Sequence, residues 1–203
     1  MRIHAVALIV LLSAGVAGAR AGEIRGVVRS PENSVSAEAP VVVWVEGLPK
    51  QPVPDAHLVL SQREVRFSPT FLVAQVGQTV DMPNDDDVTH NVFSASATKA
   101  FNLGLYPKGD VRSVTFERPG LVDLFCKIHR HMNAKIFVVP SHKYAVVGGP
   151  GAFSIAGLPA GTYKVRSWHD DLSPQEQTIT VPAKGFTTVN LTLTRPRDAM
   201  VTQ

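Results

Sequence analysis

Cys126-Lys127-Ile128-His129-Arg130-His131-Met132 sets a thiol, an imidazole and a thioether at the spacing Cys-x-x-His-x-x-Met. A soft sulfur, a borderline nitrogen and a weak thioether suit copper, whereas calcium and magnesium take oxygen. One more imidazole completes a trigonal set of two histidines and one cysteine with a distant axial methionine. His90, in Val88-Thr89-His90-Asn91-Val92-Phe93, stands where it can supply one. Such a set serves Cu(I) and Cu(II) with little rearrangement, so the chemistry it points to is single-electron transfer. His131, next to the methionine, is read as facing solvent rather than competing for the metal.

Strands must position these residues. Leu121 to Phe125 and Ala134 to Val139 read as two strands on either side of the ligand loop. Val122, Leu124 and Cys126 fall on one face by the period of two, which puts the thiol on the side of core-type residues. Asn91 to Phe93 reads as a short strand after His90, and Phe101 to Gly109 as irregular. Thr79 to Met82 is a strand, followed by a turn-rich acidic loop, Pro83-Asn84-Asp85-Asp86-Asp87. That loop is read as solvated, with a possible part in repelling or selecting a partner. The apolar residues of Phe101 to Tyr106 fit a ring around the metal or ordinary core equally well.

The remainder of the chain is β-patterned too. Gly22 to Arg29 alternates, and Val41-Val42-Val43-Trp44-Val45 is a β-branched run. Ala152 to Ile155, Thr162 to Trp168, Gln177 to Val181 and Thr187 to Leu193 are further strands, separated by Gly- and Pro-rich turns. Helical patterning is almost absent, so the expected class is all-β. His57, His142 and His169 lack ligand spacing and are expected at the surface; His169-Asp170-Asp171 is read as an exposed turn.

Residues 1–21 look like an export signal. Arg2 and His4 precede an apolar run from Ala5 to Leu12, and Ala19-Arg20-Ala21 is an A-x-A cleavage site. The run is too short for a comfortable membrane span, and no later segment is long and apolar enough. Cleavage removes Arg2 and Arg20, leaving 20 − 2 = 18 basic residues against 17 acidic, so the formal charge falls from +3 to +1. No basic stripe with interleaved aromatics asks for nucleic acid. The single cysteine excludes a disulfide within one chain. In the oxidising periplasmic or secreted setting that a signal implies, a bound metal would protect such a thiol.

The motifs resemble a known family. Asp81-Met82-Pro83-Asn84, His90-Asn91-Val92, Pro119 to Cys126 and Cys126-x-x-His129-x-x-Met132 are similar to the cupredoxins, with the short ligand loop of the amicyanin and plastocyanin type. The resemblance covers about residues 56–140. It implies a Greek-key β-sandwich holding one type 1 (blue) copper, with His90, Cys126 and His129 equatorial and Met132 axial. It also implies that Asn91 pins the two ligand-bearing loops together. Gly151 to Tyr163 resembles the carboxypeptidase regulatory-like family, a small transthyretin-like β-sandwich, and residues 22–50 resemble that family's first two strands. The expected organisation is therefore a signal at 1–21, a cupredoxin at 56–140 inserted into a sandwich formed by 22–50 and 143–195, and a tail at 196–203. The whole resembles exported methylamine utilization proteins.

The function expected is that of an electron carrier with a redox protein partner, without catalytic residues. Copper storage or delivery would use the same ligands, but Met82, Met132 and Met200 are the only methionines after the signal, too few for an exchange cluster. Oxygen or nitrite chemistry would need an open coordination position or a second copper. A secreted interaction module would leave the Cys-His-Met spacing unexplained.

Overall fold

The computed structural model describes residues 21–31 and 34–196. The export signal read at 1–21 lies outside them apart from Ala21, and the tail read at 196–203 apart from Pro196. The described residues form strands joined by turns and loops and contain no helix, hence none long and apolar enough to cross a membrane.

In chain order the strands are β1 (Gly22–Arg29), β2 (Val41–Glu46), β3 (Leu58–Val59), β4 (Ser61–Arg63), β5 (Arg66–Ser68), β6 (Phe71–Gln75), β7 (Thr79–Pro83), β8 (His90–Ser96) and β9 (Lys99–Tyr106). They continue as β10 (Val111–Thr115), β11 (Gly120–Phe125), β12 (Asn133–Val139), β13 (Tyr144–Val147), β14 (Gly151–Leu158), β15 (Gly161–Trp168), β16 (Glu176–Val181) and β17 (Phe186–Thr192). The fold is all-β. A five-stranded sheet, β6-β12-β11-β8-β9, and a three-stranded sheet, β10-β7-β3, enclose one core with the β4-β5 hairpin at its side. The chain's two ends make the other pair of sheets, β14-β1-β17 and β13-β2-β15-β16.

β2 shows why its sequence is an unbroken apolar run. Val41, Val43 and Val45 face one core, with Ile24, Val165 and Leu191. Val42 and Trp44 face the opposite way, into a second apolar layer with Val73, Phe137 and Val139. A strand buried on both faces has no polar side to alternate with. β12 is its counterpart: Ile136 and Val138 enter the sandwich core, while Phe137 and Val139 join the layer facing β2. Trp168 stacks on Phe137 at 4.3 Å between ring centroids. Beside it, Lys135 on β12 bridges Asp123 at 2.8 Å and Asp170 at 3.1 Å. The last strand before the metal-ligand residues' own sandwich closes is thus clamped to the flanking sheets.

Several local readings differ from the structure. Phe101 to Gly109, expected to be irregular, is largely the long strand β9. A register shift between Asn91 and Phe93 and the left-handed Gly104 (φ +72°) let it pair with β8 despite the glycine. Phe101 and Leu103 pack on the core. Tyr106 is fully buried; burial pushes its hydroxyl up to about 12. It donates to Met82 O at 2.9 Å and accepts from the Gln62 amide. His169, expected at the surface, is buried: Nε2 donates to Ala39 O at 3.1 Å, and Nδ1 accepts from the Asp171 N–H at 3.0 Å.

Candidate metal centre

β11 ends at Phe125, and Cys126 follows on the face of Val122 and Leu124, in the same core cluster. The loop then closes on itself. Met132 N–H donates to His129 O at 2.9 Å and Cys126 N–H to Met132 O at 3.3 Å. That tight turn returns the chain into β12 and folds Met132 inward, leaving it 1 % exposed. Met132 belongs to the same apolar cluster as Cys126.

His90 opens β8 from the other side and is fully buried. The loop before it is built around Asn84. The Asn84 amide donates to Val88 O at 2.9 Å and Tyr106 O at 3.0 Å, and its Oδ1 accepts from Asp86 N–H at 3.0 Å. With this loop fixed, one ligand atom each from His90, Cys126 and His129 comes within 4.8 Å of the others. The Nδ1 atoms of His90 and His129 are 3.1 Å apart, and Cys126 Sγ lies 3.9 Å from His129 Nδ1.

Asp86 holds His90 from the far side of its ring. Its Oδ2 lies 2.7 Å from His90 Nε2. A carboxylate only accepts, so Nε2 carries a hydrogen, and His90 turns its Nδ1 toward His129 Nδ1. Burial acts to raise the Asp86 carboxyl, but hydrogen bonds from His90, Val65 and Glu64 outweigh it and hold it below the usual carboxylate range. Two imidazole Nδ1 atoms at this separation share either one hydrogen or a cation. Ligands roughly 2.0 to 2.3 Å from one ion stand about 3 to 4 Å apart, as His129 Nδ1 does from His90 Nδ1 and from Cys126 Sγ. The donor set of two imidazoles and a thiol, with a thioether packed in the same cluster, fits copper.

The sequence reading missed Asp86. Among three consecutive aspartates it looked like a solvated turn, yet it is mostly covered, with its side chain 13 % exposed. The available signal was an acid near a candidate ligand, since metal-bound histidines commonly donate their other nitrogen to a carboxylate. Asn91, expected to pin the two ligand loops, directs its amide to Asn102 Oδ1 and Gly104 O, both at 2.9 Å on β9. Its buried Oδ1 has no partner among the described residues. His131 stands outside the three-residue group and points Nε2 at Val65 O, 3.0 Å away. His57 pairs with Asp81 at 3.0 Å and belongs to no such group among the described residues.

No family model matches the chain, and no curated protein matches it. Among solved structures it is similar to a novel purple cupredoxin from Nitrosopumilus maritimus, with 26 % identity over 40 % of this chain and 99 % of that one, at a TM-score of 0.37. A reduced amicyanin variant is 23 % identical over 48 % of this chain and 98 % of its own, with a TM-score of 0.40. The copper-containing nitrite reductase of Thermus scotoductus SA-01 is 21 % identical over 48 % of this chain but only 25 % of its own, at 0.41. Likenesses at these TM-scores assign neither cofactor nor activity to this chain.

Replacing Asp86 by Ala removes the acceptor that orients His90. The expected result is a fall of about 10- to 100-fold in copper affinity, measured by competition with a chelator. An unchanged affinity would show that His90 needs no such orientation.

Proposed function

We propose that the chain is an exported type 1 copper protein that passes single electrons to and from a protein partner. The observation that carries this reading is the convergence of His90, Cys126 and His129 on one small buried space. Copper, when bound there, supplies a one-electron couple that the mixed sulfur and nitrogen donors serve in both oxidation states. The chain's residues do the remainder. Asp86 accepts from His90 Nε2 and so turns Nδ1 toward the other donors. Cys126 contributes the thiolate, and the buried Met132 the weak axial sulfur. Val92, Leu124 and Met82, buried in the same apolar core as Cys126 and Met132, back the site on its inner side. His129 is the one partly exposed member of the three-residue group, and it offers an edge through which a docked partner exchanges an electron. Copper delivery finds less support, because Met82 is fully buried and supplies no exposed thioether.

We also propose that residues 56–140 are the copper unit, inserted between 22–50 and 143–195. Support comes from the pairing: β1 bonds to β14 and β17, and β2 to β13 and β15. A fragment of residues 56–140 is expected to take up copper yet self-associate, because its β6-β12 face loses the cover of Trp44 and Trp168. Replacing Phe137 by Thr should return it to a monomer by sedimentation. A fragment that stays unfolded would contradict the division.

Loading the full chain with Cu(II) tests the copper reading. An intense thiolate-to-copper band in the visible spectrum is expected, and Cys126→Ser should abolish it, since a hydroxyl does not replace a strongly donating thiolate. A band that survives Cys126→Ser would sink the assignment.

A further inference from the structure

The β4-β5 hairpin lies against the metal centre. Arg63 pairs with Arg66 across a two-residue turn, Glu64-Val65. Both turn residues sit at φ +55°. Left-handed backbone at both central positions suits Asn-Gly, and it is strained for a β-branched valine. The turn is nevertheless fastened from two sides. Glu64 N–H and Val65 N–H donate to the two oxygens of Asp86 at 2.6 and 2.8 Å. The same carboxylate accepts from His90 Nε2. On the other side, Val65 O accepts from His131 Nε2 at 3.0 Å. Val65 itself packs against the core, which fixes the height of the turn.

One strained turn therefore touches both donor loops. Through Asp86 it reaches His90; through His131 it reaches the loop that carries Cys126, His129 and Met132. Nothing in the Cys-x-x-His-x-x-Met spacing requires a histidine at 131, and its side chain does not join the donor cluster. A carbonyl only accepts, so His131 must hold its proton on Nε2, which both the neutral Nε2–H form and the imidazolium provide.

We propose that His131 is a positioning residue: by donating to Val65 O it ties the Cys126–Met132 loop to the turn that Asp86 holds against His90, and so sets the distance between the two donor loops. The geometry of this clasp stands without a metal. Its consequence for metal retention rests on the copper reading above.

The test uses the full chain with His131→Leu, which cannot donate, and His131→Gln, whose carboxamide N–H can. A solvent-accessible neutral hydrogen bond is worth roughly 0.5 to 1 kcal/mol, or about two- to five-fold. In metal-free protein, amide exchange at Met132 should be faster by that factor in His131→Leu and near the unsubstituted value in His131→Gln. In copper-loaded protein, release to excess Cu(I) chelator should follow the same order, with the reduction potential shifted in the Leu variant alone. The proposal is overturned if His131→Leu changes neither rate, or if His131→Gln is as fast as His131→Leu. Loss of the thiolate band in both variants also overturns it, since His131 would then be a ligand. If the unsubstituted chain takes up no copper, the copper reading fails, while amide exchange still decides the clasp.

Discussion

Two imidazoles and a thiol crowd into a space that water scarcely enters, and the rest of the structure is arranged to hold them there. Burying polar donors without partners is unfavourable. Bringing three lone-pair donors together adds to that unless a cation, or a proton, sits among them. His90 is fully buried and Cys126 only 4 % exposed, so neither is relieved by solvent. The protein keeps the arrangement by pairing many of the polar groups around it. Asp86 accepts a hydrogen bond from His90 Nε2, Asn84 satisfies the carbonyls of Val88 and Tyr106, and the ligand loop bonds internally at Cys126 and Met132.

Rigidity reaches this centre through strands buried on both faces. β12 begins one residue after Met132, and its alternate side chains enter two separate apolar layers. Moving that strand would disturb both layers at once, and close-packed interiors resist such movement. The flanking sheets therefore do more than decorate the sandwich that holds His90, Cys126 and His129. They cover Phe137 and Val139, and through Asp170 they contribute one of the two carboxylates around Lys135. The electron transfer proposed above would gain from this, because little reorganisation accompanies a change of oxidation state when the donors cannot move.

The parts legible in the sequence share one property: they depend on local pattern. The all-β class followed from period-two strands, and the face of Cys126 from counting back to Leu124 and Val122. The convergence of His90, Cys126 and His129 followed from residue type and spacing. The parts that were not legible depend on what the fold brings together. β9 hid behind Gly104, whose left-handed conformation belongs to a register shift opposite Asn91 that composition does not reveal. Asp86 hid among identical neighbours, and only the loop folded about Asn84 selects it. His169 looked polar and exposed, yet it is buried by a bond to Ala39, whose distance in sequence no local reading spans. Glu64-Val65 carries none of the residues that normally announce such a turn, so its left-handed backbone could not be anticipated.

X-ray absorption at the copper edge tests the central claim most directly. For protein loaded with one copper per chain, the claim predicts one short sulfur and two imidazole nitrogens around the metal, with nearly the same shell after reduction. A shell of nitrogen and oxygen without sulfur, or one that rearranges on reduction, would contradict it.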